Sequence, residues 1–143
     1  MPIKSFRGKI ADNSVDTITL HTNNGSTGYR IKKFQIIGQE PMGTDQEAVV
    51  KIYTIPQTTA TNTIDFSDQT LLGVAFYEND QNTAYFGGET IIFDNTTFNQ
   101  DIYVTNQSST GSMNYYIELE MFKLDLSENT VATLKDIRNI ASQ

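Results

Sequence analysis

Between Met113 and Lys123 apolar and polar residues alternate. Met113, Tyr115, Ile117, Leu119 and Met121 share one face, and Asn114, Tyr116, Glu118 and Glu120 share the other. Successive side chains of an extended chain point to opposite faces, so the pattern specifies a strand with one face on a core and one face wet. A strand that buries half its residues needs neighbours to pair with and a second layer to cover it. That requirement constrains the rest of the chain more than any other stretch does.

After Leu124 the period changes. Val131, Leu134, Ile137, Ile140 and Ala141 fall within about half of a helical wheel, and Glu128, Lys135, Asp136 and Asn139 fall on the other half. Asp125 or Ser127 can cap such a helix, while Glu128 near its start and Arg138 near its end suit the helix dipole. The expected organisation is a β-sandwich domain over residues 1–124 and a short C-terminal helix over 125–143. The helix would pack on the sandwich or on a partner.

Upstream, period-two or β-branched runs predict further strands. They cover Phe6–Ile10, Val15–His21 with Ile18 and Leu20 inside, Tyr29–Ile37, Ala48–Ile55, Ser67–Glu78, Thr90–Phe93 and Ile102–Thr105. In Tyr29–Ile37 the alternation is imperfect, and the buried face is not legible throughout. Ser67–Asp68–Gln69 could cap a helix, but Gly73, Val74, Phe76 and Tyr77 suit a strand better. Thr22–Gly28 reads as a hairpin loop, Gln39–Asp45 as a loop and Asn79–Asn82 as a turn. Asp94–Thr97 reads as a second turn and Asn106–Ser112 as a Gly/Ser-rich tip. Pro56 ends a strand, and the polar connection after it includes Ile64 and Phe66 as a candidate short strand. About eight strands at this spacing predict an all-β fold, a single β-sandwich or jelly roll. No internal repeat or heptad series is present.

Composition narrows the function classes. At 143 residues with 38% hydrophobic content, the chain is of a size to bury a core as one domain. The formal charge of −7 argues against direct nucleic-acid binding and suits a partner with a basic patch. There is no cysteine, so thiolate zinc sites and cysteine nucleophiles are excluded. No run reaches the ~18 apolar residues of a membrane helix, and the N-terminus has no signal-peptide core. The expectation is a soluble protein made in a cytoplasm, with no membrane partner.

Little in the chain announces catalysis. His21 is the only histidine, there is no Gly-x-Ser-x-Gly elbow, and no phosphate-cradling glycine loop occurs. Glu118 and Glu120 lie two apart on one strand, about 7 Å apart along the backbone, within the range of glycosidase acids. Adjacent acids on a wet strand face are ordinarily solvated. Asp65, Asp68, Asp94 and Asp101 fall near loops, where calcium sites form, but none has the EF-hand pattern. Asn24, Asn95 and Asn106 begin glycosylation triplets of a kind expected by chance in an Asn/Thr-rich chain. Lys4, Arg7 and Lys9, and Arg30, Lys32 and Lys33, form two basic clusters that could face an acidic partner and are best read as strand-edge charge that discourages unwanted pairing. Tyr77, Tyr85 and Tyr116 are candidate platforms in a glycan-binding reading. No catalytic, cofactor or metal residue is assigned.

Several segments carry a family likeness. Ile3-Lys4-Ser5-Phe6-Arg7-Gly8-Lys9, Ile92-Phe93-Asp94-Asn95, Phe98–Thr105, Asn114–Glu120, Lys123–Leu126 and Thr130–Asn139 together resemble small proteins encoded by marine tailed bacteriophages, among them phages of cyanobacteria and of abundant ocean bacteria. The likeness spans nearly the whole chain and is weakest over Gln57–Asn62 and Gln107–Ser112. It implies a virion structural component without enzymatic activity or cofactor, synthesised in the host cytoplasm. A capsid decoration or cement protein, in many copies on the major capsid protein, is the first expectation. A neck or tail component, or a glycan-binding sandwich, is the alternative.

Overall fold

The computed structural model describes residues 2–20, 26–80, 85–93 and 96–124. His21, Asp94 and the expected helix over 125–143 lie outside them. Among the described residues eight strands form: β1 (Ile3–Ile10), β2 (Ser14–Ile18), β3 (Thr27–Gly38), β4 (Gln46–Tyr53), β5 (Leu71–Asp80), β6 (Tyr85–Ile92), β7 (Ile102–Ser108) and β8 (Met113–Lys123). They make two antiparallel sheets, β1-β8-β3 and β2-β7-β4-β5-β6. The fold of the described residues is all-β, a sandwich, as the alternating pattern requires.

The order of the strands follows from a long antiparallel hairpin rolled across two layers. β1 pairs with β8, β2 with β7 and β4 with β5, so each pair joins the first half of the chain to the second. This is the nested Greek-key scheme of a jelly roll. One pair departs from it. β6 bonds to β5 rather than to β3, so β3 and β6 are separate edges facing each other across the open side of the sandwich. Gln35, Ile36 and Ile37 on one side and Gly87–Thr90 on the other line a cleft of about 560 Å³ between them.

Thr22–Gly28 is therefore not a hairpin loop. β2 and β3 belong to different sheets and do not pair, and residues 22–25 of that stretch lie outside the described residues. Other expectations shift at their boundaries. Asn79 and Asp80 continue β5, Asn106–Ser108 continue β7, and β6 starts at Tyr85 rather than Thr90. In each case the ladder of a neighbouring strand holds polar residues extended, which local turn preference alone does not foresee. Asn106, read as a turn residue and glycosylation triplet, is fully buried. Its side-chain amide donates to the carbonyls of Ile10 at 3.1 Å and Ala11 at 3.2 Å. Ile64 and Phe66 form no strand.

The inter-sheet core gathers the inward face of β8 (Met113, Tyr115, Ile117, Leu119) with Ala48, Val50 and Ile52 of β4 and Ile102 and Val104 of β7. The irregular alternation of β3 has a local cause. Its register against β8 shifts between Ile31 and Lys33, where a bulge places one extra residue. Tyr29 and Ile31 face inward before the bulge and Phe34 after it, so the parity changes once. The turn after β1 holds Asn13 at a φ of 55°, a left-handed conformation that Asn tolerates better than most side chains.

Residues 54–70 form a strap over the outside of the five-stranded sheet. Lys51 is anchored to it, its own Ala60 is buried, and Phe66 meets Phe93 edge-on with ring centroids 5.4 Å apart. The strap explains why β4 and β5 do not alternate. Val49, Tyr53, Leu71 and Val74 are buried on the outer side while Val50, Ile52 and Ala75 are buried on the inner side. Strands covered on both faces read as continuous apolar runs.

Candidate functional site

Three places carry the chain's polar chemistry: the outer face of the three-stranded sheet, the acidic loops, and a buried lysine under the strap.

On the outer face, β8 lies between β1 and β3. Glu118 is level with Ser5 on one side and Lys33 on the other, and Glu120 is level with Ile3 and Arg30. Because β8 is central, both acids are half-buried rather than freely exposed, which corrects the expectation of a fully wet face. Each has its own partner. The Tyr116 hydroxyl donates to Glu118 Oε2 at 2.7 Å, and Arg30 Nη1 donates to Glu120 Oε1 at 3.5 Å with its guanidinium over the Phe122 ring. The Glu118 hydrogen bond holds the Tyr116 phenol above its ordinary pKa, because ionisation would set two negative charges side by side. Beside this network Arg7, Gln35, Ile37, Asn114 and Tyr116 line a hollow of about 470 Å³. Of the other glycan-platform candidates, Tyr77 is buried in the core.

The loop acids serve the backbone. Asp65 Oδ1 accepts from the Ser67 amide at 2.9 Å and its hydroxyl at 2.6 Å. Asp68 Oδ1 accepts from the amide and hydroxyl of Thr70 at the same two distances. These are Asx turns that close the strap. Asp101 Oδ1 accepts from the Leu20 amide at 2.8 Å and ties the end of β2 to the start of β7. Among the described residues no group of three or more His, Cys, Asp and Glu side chains converges as metal ligands would.

Lys51 and the Tyr115–Asp16 pair are the polar features that sequence reading missed. Lys51 is 2% exposed, and its Nζ donates to Thr61 Oγ1 at 2.9 Å and to the Thr63 carbonyl at 2.7 Å. Burial lowers its pKa, and the negative charge of Asp68 partly opposes that shift. Its one sequence signal is a solitary cation inside the apolar run Ala48–Tyr53. Tyr115 donates to Asp16 Oδ2 at 3.2 Å, bridging the two sheets. Burial first, and Asp16 second, push its phenol up to about 12. Tyr53, beside the strap, also rises to about 12 through burial and the charges of Asp68 and Asp65.

The two sheets differ in charge. Seven of the eight lysines and arginines among the described residues lie on β1, β3 and β8, and the eighth is the buried Lys51. Of the thirteen described acids, only Glu118 and Glu120 lie on those strands. β1 and β3 are the two edges of their sheet, so both basic clusters do occupy strand edges.

These features define a β-sandwich whose strand order follows a jelly roll except at β6, with polar groups engaged in holding the fold and oppositely charged outer faces. No family model matches the chain, and no curated protein matches it either.

Proposed function

We propose that the protein is a non-enzymatic virion structural component, a capsid decoration protein that binds the major capsid shell in many copies. The resemblance of the β1, β7 and β8 segments to marine-phage proteins supports this reading. The observation that carries it furthest is the disposition of polar groups. Glu118, Glu120, Asp65, Asp68 and Asp101 each hold a hydrogen bond or ion pair within the fold, while the sandwich presents broad, charge-sorted faces. Charge-sorted faces of this kind steer and orient association with a partner of complementary charge.

A labelled full-length copy added to intact particles tests the proposal. Decoration of the shell at regular positions is the expected result. Label confined to the neck or tail would select the other virion position, and absence of binding to any part of the particle would overturn the reading. One feature favours a glycan-binding alternative, the Arg7–Tyr116 hollow on the outer face. Retention on a glycan array that Tyr116→Ala abolishes would establish it.

A further inference from the structure

We propose that this chain self-associates head to tail, with the outer face of the three-stranded sheet of one copy seated on the strap side of the five-stranded sheet of the next. The occupant of each face is a second copy of the same chain. The argument does not depend on where the protein is found, so it can fail while the virion reading stands, and the reverse.

The first observation is charge. Exposed Arg7, Lys9, Lys32, Lys33 and Lys123 lie on the three-stranded sheet. On the far side of the sandwich, exposed Glu47, Asp65 and Glu89 lie on β4, the strap and β6. Hydrogen bonds from Ser67 hold Asp65 below the usual carboxylate range, so it stays charged. Packed sheets are separated by about 10 Å, comparable with the Debye length at physiological salt. An approaching surface therefore responds chiefly to the nearer face, despite the net negative charge of the whole.

The second observation is apolar exposure at both poles. Ile3 and Ile37 are 51% and 58% exposed on the basic sheet, and Ile64, Phe66 and Ile91 are 43%, 53% and 38% exposed on the acidic side. Each pole thus offers apolar side chains among charges of one sign, and the two signs are opposite. Like faces repel and unlike faces attract. A contact between different patches on opposite sides of the molecule does not close at two copies; it continues into a ring or an open stack.

Sedimentation equilibrium of the full-length protein tests this at low and high salt, with two charge-reversal variants, Lys9→Glu/Lys33→Glu and Glu47→Lys/Glu89→Lys. All four residues are exposed, and circular dichroism verifies that each variant is folded. The wild type is expected to associate at about 20 mM salt and to weaken by roughly tenfold or more at about 500 mM, as charge-driven contacts do. Each variant alone should associate roughly tenfold or more weakly than the wild type, because the two reversals cancel most of the charge on one of its faces. An equimolar mixture of the variants should associate again, at least pairwise, since each supplies the unaltered face that the other lacks. A wild type that stays monomeric at low salt overturns the proposal, as does association that either folded variant retains at wild-type strength. A monomeric wild type that binds a DNA duplex would assign the basic sheet to a polyanion instead.

Discussion

At the scale of single residues, burial separates groups that are neighbours in the chain. Ile117 is fully buried in the inter-sheet core, whereas Glu118 lies on the outer face with Tyr116 as its donor. Ile117→Ala removes buried methyl groups and leaves a cavity, so it should cost about 2–5 kcal/mol in denaturant unfolding. Glu118→Gln keeps an acceptor oxygen for Tyr116 and should cost less than about 1 kcal/mol. Equal losses would place β8 in the wrong register. Tyr53 and Tyr115 make a second, pH-dependent contribution. Their phenols titrate near 12 in the folded protein and near 10 when unfolded. Between those values the unfolded chain gives up protons that the folded one retains. Stability is therefore intact below pH 10 and falls as pH rises towards 12, with a slope approaching about 1.4 kcal/mol per pH unit for each tyrosine. Lys51 works in the opposite sense, since its lowered pKa relieves a buried charge as pH rises. Tyr115→Phe should flatten the alkaline limb of a stability–pH curve by about one proton. An unchanged slope would show that Tyr115 ionises freely.

At the scale of elements, the strap over residues 54–70 depends on a few polar anchors more than on area. Lys51 binds Thr61 and Thr63, Asp65 and Asp68 close its turns, and Phe66 rests on Phe93. Lys51→Ala would remove the two bonds from Nζ and open space beneath the strap. Hydrogen exchange of residues 61–65 is expected to accelerate by tenfold or more, corresponding to the loss of about 1.4 kcal/mol or more of local protection, while β8 amides exchange as before. Uniform acceleration across both sheets would show that the strap is integral to global folding. Gly88 illustrates a tighter constraint in β6. A Cβ there would meet the Phe76 carbonyl oxygen at 2.5 Å, so the hairpin closes only with glycine at that position.

For the whole molecule, the important fact is that neighbours in space are distant in sequence. Ile3 is level with Glu120, and Ile10 with Met113. Neither sheet is complete until both halves of the chain are in place, so unfolding should be one cooperative transition, and folding should be slow for the chain's size. Deleting residues 1–10 would remove β1, strip one side of the central strand β8 and expose its ladder. Thermal melting followed by circular dichroism should lose its cooperative transition. A sharp melt close to that of the full chain would mean that β1 is dispensable. The same long-range closure brings the basic segments of β1 and β3 to the two sides of β8, which gives the molecule its charged poles.

What the sequence determines by itself is periodic and local. The two-residue period of Met113–Lys123 specifies which side chains of β8 enter the core, because side-chain direction in an extended chain depends on nothing beyond the residue's parity, and β-branched residues mark β4 and β7. Partner choice carries no such local mark. The order β1-β8-β3, the placement of β2 and β3 in different sheets, and the pairing of β6 with β5 follow from which backbone ladders close together in space. The parity change in β3 comes from a bulge that only its pairing with β8 reveals. Lys51 lies inside because a strap from elsewhere in the chain covers it, and Glu118 and Glu120 are half-buried because strands from the far end of the sequence flank them. Burial of a polar group is set by what covers it, and that cover is decided only when the two sheets assemble.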